Sequence, residues 1–185
     1  MDTQPKSEFF KNAGEFIRFA AIVIAIVFIV RTYIAQPFIV SGTSMVPTFS
    51  NKDYLIIDEI SYRFNEPQRG DVIVFRPPYD NSVFLIKRII GVAGDTIHVK
   101  NGIVTLTNSE HPDGLVLTED YITADPLSAE STTVVTEGNY FAMGDNRPAS
   151  YDSRRWGLLP EKNIVGRAFL RLFPVSTLEV FPGDY

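Results

Sequence analysis

The sequence has no cysteine and only two histidines. Without cysteine there is no thiol nucleophile, no disulfide and no thiolate metal site, although a disulfide-free chain can work on either side of a membrane. His98 and His111 have no acidic or histidine neighbours at ligand spacing, so no metal and no cofactor are expected. Basic charge is also short: 17 Lys and Arg against 22 Asp and Glu leave a net charge of -5, which offers nucleic acid no attractive field. There is no internal repeat and no low-complexity tract. What remains is 185 residues, 45% of them hydrophobic and 21% charged, enough for one well-cored domain with appendages.

One long apolar run stands out. Phe19 to Val30 reads FAAIVIAIVFIV, and with Phe16, Ile17 and Thr32 to Ala35 it reaches roughly the twenty residues that span a bilayer. Arg18 and Arg31 near its ends have stems long enough to carry their charges to the headgroups. A buried amphipathic helix would show an apolar stripe, whereas this run is apolar on every face. A cleavable signal would end at a small-residue site, but the position ending at Ala35 has Tyr33 before it and Pro37 after it. The expectation is therefore a retained transmembrane anchor over residues 16–36. Lys6, Lys11 and Arg18 precede the run and only Arg31 closely follows it, so the positive-inside rule puts residues 1–15 in the cytoplasm and residues 37–185 outside.

Beyond Pro37 the pattern changes to short β-branched and aromatic runs: YLIIDEI near Tyr54, DVIVF at Asp71, VFLIKRIIGV at Val83, TIHV at Thr96 and IVTLT at Ile103. Asn101-Gly102 between the last two is a hairpin signal, because both turn positions need positive φ. Further strands are expected at Thr132 to Thr136, Tyr140 to Met143 and Gly166 to Phe173. The fold class is all-β, an antiparallel sandwich or partly closed barrel behind one N-terminal transmembrane helix. Residues 109–131, rich in Asp, Glu, Ser, Thr and Pro, read as a surface excursion or small subdomain.

Three segments carry candidate chemistry. FIVSGTSMVPTFS, Phe38 to Ser50, places serines beside glycine and a Met-Val-Pro turn; a plain loop explains them equally well. In FLIKRIIGVAGD, Phe84 to Asp95, Lys87 interrupts an apolar strand. On a free edge it would simply discourage aggregation. Pointing inward, it would lose its charge readily and become the base a serine needs where no histidine is at hand. YFAMGDNRPASYDSRRWG, Tyr140 to Gly157, is either a solvated charged loop or an ion-paired wall in which Ser150 orients a neighbouring amine.

Taken together, in this order and behind an anchor, these segments resemble the boxes of the bacterial type I signal peptidase family. SGTSMVPT is similar to the nucleophile box, which implies Ser44 as the attacking hydroxyl. RGDVIVFRPP resembles the next box. KRIIGVAGD resembles the lysine box, with Lys87 as general base and with Ala93-Gly94-Asp95 where Pro-Gly-Asp is usual. GDNRPASYDSRRWG resembles the last box, implying that Ser150 holds the lysine while Asp152 and Arg154 form a supporting ion pair. Many Gram-negative members carry a serine two positions before the nucleophile; here that position is Gly42, so the oxyanion would rest on the Ser44 N–H and a second donor the sequence does not name.

The resemblance implies a cofactor-free serine endopeptidase, signal peptidase I, that removes signal peptides from secretory preproteins after small residues of the Ala-x-Ala type. Phe38, Val40, Met45, Leu85 and Ile86 would form the shallow pocket walls. Its place would be the plasma membrane, or a thylakoid membrane, with the lipid bilayer as partner. Two competing readings remain: a self-processing enzyme like the repressor-type relatives, and a catalytically inactive membrane-tethered β module that binds peptides or partners.

Overall fold

The computed structural model describes residues 5–33, 35–125 and 129–184. It opens with helix α1 (Pro5–Tyr33) and passes into strand β1 (Ala35–Ile39). The body adds β2 (Tyr54–Asp58), β3 (Val72–Phe75), β4 (Leu85–Gly91), β5 (Thr96–Lys100), β6 (Ile103–Thr107), β7 (Leu115–Val116) and β8 (Ser131–Val134). After these come β9 (Asn139–Met143), the one-turn helix α2 (Ser153–Trp156), β10 (Leu159–Pro160), β11 (Ile164–Phe173) and β12 (Glu179–Val180).

The strands make an eight-stranded sheet in the order β1-β2-β11-β3-β4-β9-β10, with β12 on β11, and a four-stranded sheet in the order β7-β6-β5-β8. Every strand pairing is antiparallel. Register shifts in the β11 pairings with β2 and β3, and between β4 and β9, bend the large sheet at its middle. Strand β3, VIVF, is buried along its whole length because both its faces are covered. Val72 and Val74 join Val40, Met45, Phe49, Leu55, Ile57 and Ala168 on one side; Ile73 and Phe75 join Ile89, Tyr140, Ala142 and Leu159 on the other. The smaller sheet closes a third cluster around Ile97, Val99, Val104, Leu106 and Phe141. At its hairpin Asn101 and Gly102 have φ of 51° and 79°, the double positive value a two-residue turn of this hand requires.

The N-terminal helix departs from the expected anchor. Phe16, Ile17, Phe19, Ile24, Val27 and Phe28 of α1 are exposed, yet among the described residues no helix is long and apolar enough to cross a membrane, so the span expected over residues 16–36 is not seen there. Its C-terminal bound also moves. Ala35 and Gln36 belong to β1, because Pro37 bars the helical conformation from the residue before it. Pro37 itself sits on the sheet's outermost strand, where a missing N–H costs nothing. Within residues 109–131, expected as a surface excursion or small subdomain, lies β7, and Glu119 to Asp125 fold back onto the loop that follows β9.

Gly166 marks a close backbone approach in the large sheet, since a Cβ there would meet the Asp58 carbonyl oxygen at 2.2 Å. Gly166→Ala is expected to destabilise the body by about 1–3 kcal/mol, read as a lower urea midpoint at constant slope.

Candidate active site

Ser44 lies in the loop between β1 and β2. Gly42 two positions earlier has φ of 100° and gives its N–H to Asn51 Oδ1 at 3.1 Å; nothing lies within 4 Å of where its Cβ would be, so conformation and not space selects glycine there. Lys87 comes from β4, in register with Ile73 of β3. It is 2% exposed, and its Nζ donates to Ser44 Oγ at 2.7 Å and to the Ile86 carbonyl at 2.9 Å. Burial disfavours the ammonium and pulls the Lys87 pKa down to about 8, against the opposing pull of the Asp152 and Asp145 carboxylates.

Strand alternation sends the next residue, Arg88, the opposite way. Its guanidinium binds Asp145 through Nε and one terminal branch, Nε to Oδ1 at 3.0 Å and Nη2 to Oδ2 at 2.6 Å, and both side chains are sealed from solvent. Thr48, from the same loop as Ser44, adds a hydroxyl to Asp145 at 2.5 Å. Arg88 also donates to the carbonyls of Gly70 and Gly183 and stacks on the Tyr121 ring at 4.1 Å. Asp145 thus ties the nucleophile loop, the lysine strand and the segment after β9 together. Asn146 adds two bonds to the loop, its N–H to Ser44 O and its side chain to Thr43 O, each at 3.0 Å.

Asp152 and Arg154 pair as the family boxes imply: Arg154 Nε and Nη2 reach the two carboxylate oxygens at 2.8 and 2.9 Å. Asp152 also caps α2 and takes the Gly144 N–H at 3.0 Å. Arg154 donates as well to the Arg147 carbonyl at 2.6 Å, and Arg147 is paired with Glu119 of the excursion. Ser150 stands at the site without the bond expected of it. Its hydroxyl is buried and has no hydrogen-bond partner among the described residues. Gly144 explains how it comes so near: a Cβ at residue 144 would lie 2.3 Å from Ser150 Oγ and 2.4 Å from Ser44 O.

A small cleft of about 100 Å³ opens beside the pair and is lined by Phe38, Val40, Leu85 and Ile86, together with Ile39, Ser41, Leu55, Val74 and Phe84. Phe38 and Phe84, both in its lining, meet edge to face at 5.2 Å. Met45 is not a wall; it is 1% exposed and packs in the core behind the nucleophile. A larger open hollow of about 1030 Å³, lined by residues such as Glu66, Arg69, Ala93 and Tyr140, contains neither Ser44 nor Lys87.

Sequence reasoning passed over Arg88, Thr48, Gly144 and Glu119; it set Asp145 within the charged segment from Tyr140 to Gly157 without identifying Arg88 as its partner. A second cation beside Lys87 in an apolar strand was a signal for Arg88. Nothing local distinguishes Glu119.

An amine whose pKa burial lowers to about 8, set against a hydroxyl at the rim of an apolar cleft, can carry out acyl transfer once it is deprotonated. The family model described as signal peptidase, peptidase S26, matches residues 13–173. A probable signal peptidase I-1 of Synechocystis sp. is 41% identical over 163 residues, covering 84% of this chain and 79% of its own. A signal peptidase I of Leptolyngbya laminosa is 37% identical over 184 residues, 95% of this chain and 86% of its own. The thylakoidal processing peptidase 1 of Arabidopsis thaliana is 34% identical over 85% of this chain and 47% of its own. The chain belongs to the signal peptidase family, peptidase S26.

Removing one member of the sealed pair strands the other as an unpaired buried charge. Asp145→Ala is expected to cost about 3–5 kcal/mol of stability, measured by urea unfolding followed by circular dichroism.

Proposed function

We propose that the protein is a signal peptidase I that cleaves secretory preproteins by Ser/Lys acyl-enzyme chemistry, with Ser44 as nucleophile and Lys87 as general base. The observation that carries this reading is the 2.7 Å contact between Lys87 Nζ and Ser44 Oγ, made by a lysine that burial keeps close to neutrality. The amine takes the Ser44 proton as Oγ attacks the scissile carbonyl; the resulting ammonium gives it to the departing amine, leaving an acyl ester on Ser44. The same amine then takes a proton from water, whose oxygen attacks the ester; as the bond to Oγ breaks the ammonium returns that proton to Ser44, and the acid is released. The Ser44 backbone N–H faces the developing oxyanion, a donor of a kind worth roughly 3 kcal/mol at the transition state.

Ser150 is assigned to orient the amine, its buried, unpartnered hydroxyl lying beside Gly144 and close to the Ser44 segment. The Asp152–Arg154 pair holds the backbone around Gly144 on which Ser150 and Ser44 converge. Phe38, Val40, Leu85 and Ile86 bound a cleft whose small volume suits short side chains such as alanine next to the cut. Residues 37–185 work as the extracytoplasmic catalytic body, held at the bilayer by the apolar run from Phe16 onward within α1, with residues 1–15 on the cytoplasmic side. The apolar side chains from Phe16 to Phe28 support this placement, and sharing a surface with the preprotein raises the effective substrate concentration. Both the plasma membrane and the thylakoid fit, the latter by likeness to the thylakoidal relative.

The test uses detergent-solubilised full-length chain and a synthetic preprotein with Ala-x-Ala before the cut. Ser44→Ala and Lys87→Ala are each expected to bring cleavage to background, and the double variant to be no slower than either, because the pair acts as one unit. Near-parental cleavage by either single variant would exclude the assignment. In the parent, kcat/KM is expected to rise with pH through about 8, since below that value Lys87 is an ammonium that cannot accept a proton. A limb near the ordinary lysine value would identify some other base.

A further inference from the structure

The family match ends at residue 173, and in the mostly exposed chain beyond it Pro182 and Gly183 are buried. After β12, the Phe181 N–H donates to the Phe169 carbonyl at 2.7 Å and the Asp184 N–H to the Phe181 carbonyl at 3.2 Å, turning the backbone back on itself. The turn buries Pro182 and Gly183 against the body. The Gly183 carbonyl accepts a bond from Arg88 Nη1. No side chain fits at that position: a Cβ would lie 2.9 Å from Thr48 Cγ2 and 3.2 Å from both Arg88 Nη2 and Val72 Cγ2, on a backbone with φ of 85°. Outside the turn, Arg167 holds Asp184 at 2.6 Å and Asp71 at 3.2 Å, and its guanidinium lies 4.8 Å from the Phe181 ring centre.

We infer that Phe181 to Asp184 form a positioning element for the Ser44–Lys87 pair, with Gly183 pressed against the Arg88–Asp145–Thr48 junction that joins the nucleophile loop to the lysine strand. The inference rests on the reading of Ser44 and Lys87 as the catalytic pair. Thr48 is four residues from Ser44 and Arg88 is adjacent to Lys87, so two of the side chains around Gly183 lie on the segments whose separation sets the 2.7 Å contact. The tail contributes nothing to the cleft walls. Its effect therefore falls on turnover and on the protonation of Lys87, and not on substrate affinity. Water admitted to the junction would also relieve the desolvation of Lys87, so its pKa would rise.

The experiment measures kcat, KM and the pH profile for cleavage of the Ala-x-Ala preprotein by full-length parent, Asp184→Ala and Gly183→Val, each checked for folding by circular dichroism. Asp184 is exposed, and its replacement loosens the tail without entering the core. Asp184→Ala is expected to lower kcat severalfold at unchanged KM and to move the acidic limb upward. Gly183→Val is expected to lower kcat by about tenfold or more in whatever fraction folds, as small misplacements of reacting groups do. An unchanged kcat and limb in Asp184→Ala overturns the inference, whether or not Gly183→Val folds. So does a loss of activity that only follows the unfolded fraction, which would make the tail a plug with no bearing on the pair. Cleavage persisting in Ser44→Ala in the same assay would instead overturn the reading of the site itself.

Discussion

The site hangs from one carboxylate that has no contact with solvent. Asp145 takes two bonds from Arg88 and one from Thr48, and neither member of the charged pair is exposed. Taking such a pair out of water costs several kcal/mol per ion, and only near-ideal geometry with every remaining donor satisfied offsets that cost. Here the fork of the guanidinium matches the fork of the carboxylate, and the other branch of Arg88 reaches two backbone carbonyls. The arrangement leaves little room for a partial version, so the loop carrying Ser44, the strand carrying Lys87 and the segment after β9 come together as a set.

Beside this fully paired cation lies another that is not. Lys87 is nearly as buried as Arg88, but its bonds go to a hydroxyl and a carbonyl, with the carboxylates of Asp145 and Asp152 acting only from a distance. An arginine in that place would keep its charge; a lysine gives it up as desolvation outweighs the two carboxylates. Neighbouring positions of one strand thus hold a permanent cation for structure and a titratable one for proton transfer.

Much of this was legible from residues alone. The strands β2 to β6, β9 and β11 announced themselves by β-branched runs between turn residues, and Asn101-Gly102 fixed a hairpin outright. The Asp152–Arg154 pair followed from the family boxes and is present with good geometry. Other features stayed hidden because they depend on distant partners. Met45 sits beside Ser44 in sequence yet points into the core, since a turn following the nucleophile sends its neighbour inward. Glu119 looked like one more polar residue of a surface excursion until folding brought it to Arg147. The helix-to-strand boundary at Ala35 was misplaced because hydropathy continues through it while backbone geometry, governed by Pro37, does not.

The pairing of β3 with β4 sets Val72 opposite Arg88 and Ile73 opposite Lys87. Strand side chains alternate with a period of two, so sliding β4 by a single residue would exchange its faces. The guanidinium would then be offered to the serine and the amine to the buried carboxylate: a base that never loses its proton, and a structural ion that readily does. Most strands tolerate a slip at the expense of packing alone. In this one the hydrogen-bond ladder also decides which cation does which job, and the alternation of apolar residues on β3 and β4 serves as the chemical address of the lysine.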